Sequence, residues 1–155
     1  MSWFKPLFLC LALAACGFAP VYGPDGAGTA LQNAVLVDPP SDREGFLLVR
    51  QLEDRLGRAG DPAYRLSINL TVDQESRAID PDGDIRRFHL IGVATYELRD
   101  AATGAVLRKA KVDNFVGYST SGTTVATLAA RRDAQQRLMT ILADQIVLQL
   151  QATQL

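Results

Sequence analysis

The sequence predicts an α+β two-layer sandwich, with two helices packed on one face of a mainly antiparallel four-stranded sheet in the order β-α-β-β-β-α. Four stretches carry that prediction. Over residues 64–73, Tyr64, Leu66, Ile68, Leu70 and Val72 alternate with Arg65, Ser67, Asn69, Thr71 and Asp73, the period of a strand covered on one side only. Residues 86–98 repeat the pattern through Phe88, Leu90, Gly92, Ala94, Tyr96 and Leu98. The turn at 100–104 sends that strand back into another, 105–117, and a hairpin of this kind pairs antiparallel. Residues 124–151 then set Val125, Leu128, Leu138, Ile141, Leu142 and Ile146 at helical spacing, a long apolar side that covers the sheet.

The remaining elements follow from local signals. Residues 29–37 end in Ala34-Val35-Leu36-Val37 before Asp38-Pro39-Pro40, which reads as a short first strand. Ser41-Asp42-Arg43-Glu44 matches the capping box, with Ser41 as cap and Glu44 reaching back. A helix over 42–56 follows, with Leu48, Val49, Leu52 and Leu56 as its stripe and Gly57 and Asp61-Pro62 as its stop. Joined through a helix, the first strand is free to pair in parallel with a neighbour. Asp80-Pro81-Asp82-Gly83-Asp84 reads as a turn. Arg131, Arg132, Asp133, Gln135, Gln136 and Arg137 are expected on the wet side of the last helix.

The N-terminus carries a different message. Trp3, Phe4 and Lys5 precede a short apolar run, residues 6–13, and small residues follow it, as in a secretory signal. That run is too short for about 30 Å of hydrocarbon, which takes roughly 20 residues. Leu13-Ala14-Ala15-Cys16 resembles the lipobox of bacterial lipoproteins. The resemblance implies that residues 1–15 are a cleaved signal peptide and that Cys16 carries S-diacylglycerol and an N-acyl chain. It also implies release to the outer membrane in enteric-type sorting, because Gly17 rather than Asp follows the cysteine. Three acyl chains exceed the two signals that stable anchoring needs. The segment 16–28 is rich in Gly and Pro and reads as the acylated N-terminus and linker, leaving 29–155 as a single domain.

Composition narrows the function. Of 155 residues, 48% are apolar, enough for a folded core without disulfides. Sixteen basic against 17 acidic residues argue against bulk nucleic-acid binding. The two cysteines, Cys10 and Cys16, go to the signal and the lipid, so the mature chain is expected to hold no thiol. The single histidine, His89, has no carboxylate at a recognisable spacing and alternates away from Leu90, as a solvated strand residue does. Asp80, Asp82 and Asp84 lack the glycine spacing and closing Glu of a calcium loop. No nucleophile elbow, phosphate loop or dinucleotide fingerprint is present. The sequence therefore predicts a protein that is not an enzyme, with no cofactor beyond the lipid at Cys16 and no metal site.

Basic residues are the remaining candidates. Arg86 and Arg87 open one long strand, while Arg108, Lys109 and Lys111 lie on the next. Hairpin pairing puts these at opposite ends of the strands, so they form two clusters. Each suits contact with an anionic lipid head group, as well as the simpler role of protecting a strand edge. The Ser/Thr-rich loop before the last helix is a third anion candidate, though capping alone accounts for it.

Taken together, the chain resembles the LPS-assembly lipoprotein family, LptE. The resemblance rests on the lipobox followed by Gly17-Phe18-Ala19-Pro20-Val21-Tyr22-Gly23 and on the element order. It rests also on Ala130-Arg131-Arg132-Asp133-Ala134, Arg137-Leu138-Met139 and Leu142-Ala143-Asp144-Gln145-Ile146. It implies a lipid-anchored outer-membrane protein, facing the periplasm or a barrel lumen, that plugs the LptD β-barrel, assists its assembly and helps deliver lipopolysaccharide to the cell surface. Arg86, Arg87, Arg108, Lys109 and Lys111 are the lipopolysaccharide-contact candidates on charge and placement. Two other classes fit the same features: an auxiliary lipoprotein of an ABC-type lipid transporter, which would need an apolar ligand cavity, and a structural envelope-assembly lipoprotein.

Overall fold

Alternating apolar residues build the sheet, and its geometry is taken from a computed structural model that describes residues 26–79, 85–120 and 123–153, with the side chains at 27, 78, 79, 85 and 86 outside it. In chain order the elements are α1 (Ala27–Leu31), β1 (Val35–Val37), α2 (Arg43–Leu56), β2 (Tyr64–Ile79), β3 (Ile85–Asp100), β4 (Val106–Ser119) and α3 (Thr124–Gln151). The sheet order is β1-β2-β3-β4. β1 runs parallel to β2, with Val35 opposite Tyr64, and the other pairs are antiparallel. The fold is the expected two-layer α+β sandwich: α2 and α3 cover one face, and β1-α2-β2 is the crossover that the helix-linked first strand allowed.

The even-numbered residues of the long strands face the helices. Leu66, Leu90, Ala94, Tyr96, Leu98, Val112 and Val116 meet Leu48, Leu52 and Leu56 of α2 and Leu138, Leu142 and Ile146 of α3 in one core. Each such aliphatic contributes about 1.5–3 kcal/mol gross when fully buried. Gly92 lies directly beneath α3, where a Cβ would stand 2.8 Å from Leu142 Cδ1, so the helix seats close to the sheet there. The two main helices run side by side in the same direction. Glu44 meets Gln135 near one end, and Arg55 pairs with Asp144 near the other.

Several local expectations are corrected. Residues 29–37 are not one strand: α1 fills the first part, Leu31 is fully buried, and Asn33 at φ 56° turns the chain into β1. Asn33 N–H donates to Leu56 C=O at 2.7 Å, which ties this turn to the end of α2. The cap of α2 is Asp42, not Ser41; its carboxylate accepts from Gly45 N–H at 2.7 Å. Glu44 does not reach back, because Gln135 Nε2 donates to its carboxylate at 2.8 Å. Gln135 is accordingly buried rather than wet. The stripe of α3 also overruns its partners: Val125 is 78% exposed and Leu128 47%. β2 and β3 are longer than the alternation suggested, because pairing with each other carries them past it, through irregular register at Ser76–Ile79. The turn at Asp80–Asp84 lies outside the described residues.

Candidate functional site

Because both main helices sit on one side, the odd-numbered strand residues form an uncovered face. β2 gives it Arg65, Ser67, Asn69, Thr71 and Asp73; β3 gives Ile91, Val93, Thr95 and Glu97; β4 gives Lys109, Lys111, Asp113 and Phe115. The register places Lys109 opposite Glu97, Lys111 opposite Thr95 and Arg87 opposite Ser119. Ten residues of β3 separate the Glu97 and Arg87 positions, about 33 Å at strand rise. The structure therefore keeps the two basic sets apart.

Within the set near the β3–β4 hairpin, the three candidates do different things. Lys109 Nζ lies 3.4 Å from Glu97 Oε2, and Arg99 binds the same carboxylate. Lys111 has no ion pair among the described residues. Arg108 lies on the other face, because consecutive strand residues point to opposite sides. It lies beside Tyr96, whose phenol is 1% exposed and donates to Gln149 Oε1 at 2.8 Å. Burial pushes the Tyr96 hydroxyl up from its ordinary value, and Arg108 pulls it part of the way back. Arg108 is thus tied to the edge of the core, not to Lys109 and Lys111.

The other set opens onto a recess of about 390 Å³. Arg87, Ser119 and Tyr118 line it from the strands, and Asp133 and Arg137 line it from α3. Asp133 holds Arg137 at 2.9 Å. Arg137 is a site neighbour that the sequence did not pick out, since only the fold brings residues 87 and 137 together. Arg86 belongs to β3, but its side chain lies outside the described residues, as does Cys16.

Between the sets the open face turns apolar. His89 stacks on Phe115 with ring centroids 4.9 Å apart, beside Ile91 and Val93. His89 is consequently half-buried rather than solvated; Phe115 is 58% exposed. Among the described residues no group of three or more His, Cys, Asp or Glu is placed to hold a metal ion, and no helix is long and apolar enough to cross a membrane.

Comparison with known proteins places this geometry. Residues 32–150 match the family model LptE, lipopolysaccharide-assembly. A lipoprotein candidate from Caulobacter crescentus CB15 is 30% identical, with TM-score 0.71, over 84% of this chain and 96% of that one. The rare lipoprotein B of Shewanella oneidensis has TM-score 0.56 at 15% identity, over 77% and 92% of the two chains. A minor lipoprotein of Acinetobacter baumannii has TM-score 0.54 at 17% identity, over 77% and 89%. No match was found among curated proteins. The chain belongs to the LptE family of outer-membrane lipoproteins. Its members are structural and non-catalytic, so the chain is not an enzyme, and its place is a lipid-anchored one at the outer membrane with a general role in envelope assembly.

Proposed function

We propose that this protein is the lipoprotein component of the lipopolysaccharide assembly complex. Acylated at Cys16 after removal of residues 1–15, it plugs the LptD β-barrel, assists that barrel's assembly and helps deliver lipopolysaccharide to the surface. The observation that carries the reading is the family match over residues 32–150. The uncovered sheet face supports it, because a barrel lumen is polar and Arg65, Ser67, Asn69 and Thr71 suit a wet wall. Of the basic candidates, Arg87 and Lys111 are the ones whose charge is available to an anionic head group. Lys109 is engaged by Glu97, Arg108 faces Tyr96, and Arg86 adds its charge beside Arg87 in sequence.

Gentle detergent extraction of the tagged lipoprotein tests the reading. The expected result is one large, heat-modifiable barrel recovered in about equal amount. Recovery without a barrel, or with an inner-membrane ATPase complex, would overturn it. In the recovered complex, replacing Arg87 and Lys111 with Glu should reduce photocrosslinking to lipopolysaccharide while the barrel still co-purifies. Unchanged crosslinking would remove these two residues from the contact.

A further inference from the structure

β2 is only partly covered along its outer edge. β1 pairs with it at three positions, Val35–Tyr64 to Val37–Leu66, and the last bond is Asp38 N–H to Leu66 C=O at 2.9 Å. Pro39 and Pro40 then carry the chain into α2, since proline has no N–H to extend the ladder. In β2 the backbone groups of Tyr64 and Leu66 face β1, so those of Ile68, Leu70, Val72 and Gln74 face the same way. No strand lies beside these four among the described residues. Seven residues of bare edge, 68–74, result. Unpaired strand edges are templates for another strand.

The bare edge is lined by a trough. One recess of about 260 Å³ includes Pro39, Pro40, Leu48 and Ile68, and a second of about 220 Å³ includes Val72, Gln74 and Leu90. Both are bounded by Asp42 and Leu70, so they adjoin. The rim is acidic: Asp38, Asp42, Glu44 and Asp73 stand against one lining guanidinium, Arg131. Asp38 also takes Arg65 at 3.4 Å, which leaves the imbalance in favour of carboxylate. Apolar floor, acidic rim and free backbone groups select one kind of occupant.

We propose that the edge of β2 at residues 68–74 receives an extended, basic segment of a partner protein, which continues the sheet where β1 stops. Its backbone pairs with Ile68, Leu70, Val72 and Gln74. Its alternate apolar side chains enter the trough, and its lysines or arginines, which strand alternation puts on the open face, meet Asp73, while Asp42 and Glu44 add negative charge from the helix side. The inference is independent of which barrel or complex the protein joins.

Amide hydrogen exchange on the full-length mature lipoprotein in detergent tests this. The probe is a capped heptapeptide alternating valine with lysine. At a hundred times its dissociation constant it should slow exchange at the outward amides 68, 70, 72 and 74 by about a hundredfold. The same peptide N-methylated at its pairing amides keeps its charge but should give no protection. A valine–glutamate peptide should bind at least tenfold more weakly. Val72→Pro keeps the β3 ladder, because the lost N–H points outward, and should abolish protection in the variant. Protection by the N-methylated peptide, equal binding of the acidic one, or protection at sites other than 68–74 would overturn the proposal. So would a dimer in sedimentation whose amides 68–74 are already protected, which would assign the edge to a second copy.

Discussion

At Gly92 the absence of a side chain sets how closely α3 approaches the sheet. A Cβ there would lie 2.8 Å from Leu142 Cδ1 and 3.1 Å from Leu138 Cδ2, both fully buried side chains. Gly92→Ala should therefore destabilise the fold by about 1–3 kcal/mol through overpacking, read as a lower denaturation midpoint with an unchanged slope. A second residue, Asp100, makes a pH prediction. Its carboxylate accepts from Thr103 N–H at 2.7 Å, Thr103 Oγ1 at 2.8 Å and Ala102 N–H at 3.1 Å. The Thr103 bonds, led by its backbone N–H, hold its pKa below the ordinary 3.8. The folded value is depressed, so the stabilisation is fully present above the unfolded value and is lost as pH falls through the folded one. NMR titration should place the Asp100 midpoint below the ordinary value. Exchange of the Thr103 amide should gain extra acceleration below about pH 4, and Asp100→Asn should remove it. At this scale the sequence conveyed residue type but not always orientation. Arg108 and Lys109 are neighbours in sequence and face opposite sides of β4, and His89 finds Phe115 only through the β3–β4 register.

Among the elements, α3 was fully legible in extent, since residues 124–151 were expected and Thr124–Gln151 is observed. Its buried length was not. Periodicity continues through Val125 and Leu128, but α2 begins alongside Gln135, so the first turns of α3 extend past their helical neighbour. Leu128→Ser should accordingly shift stability by no more than about 0.5 kcal/mol, whereas Leu138→Ala should cost about 2–5 kcal/mol; urea denaturation of both variants checks the contrast. The start of α2 has a similar lesson. Ser41 and Asp42 both carry capping chemistry, and the capping-box spacing favours Ser41. Glu44 is drawn instead to Gln135, 91 positions along the chain, a contact that no local pattern encodes. Asp42→Ala should cost about 0.5–2 kcal/mol, and Ser41→Ala should stay within about 0.5 kcal/mol. A larger loss at Ser41 than at Asp42 would return the cap to the residue that the spacing favours. By contrast, the β3–β4 hairpin was readable because its signals are local: two alternating runs joined by a turn whose Gly104 sits at φ 72°.

For the molecule as a whole, the fold sets which end lies near the proposed tether. β1 runs parallel to β2 from Val35 opposite Tyr64, so the chain enters the sheet at the end that also holds Asp100. Ala101 N–H donates to Ala63 C=O at 2.9 Å, which places the β3–β4 turn at that same end. α1 precedes β1 there, and its first flanking residue, Gly26, is ten positions from Cys16. Ten residues reach at most about 35 Å. A lipid at Cys16 would thus keep the Asp100 end within reach of the bilayer surface, with the Arg87 recess about 43 Å further along β3. Acylation of Cys16 and loss of Cys10 with the signal would leave the mature chain without another thiol, so single introduced cysteines report position cleanly. A fluorophore on Ala102→Cys in proteoliposomes should be quenched by headgroup-labelled lipid more strongly than one on Ser119→Cys. Stronger quenching at 119 would reverse the orientation and place Arg87, rather than Lys111, beside the membrane from which the protein is hung. Equal quenching would mean that the tether lets the domain turn freely until a partner holds it.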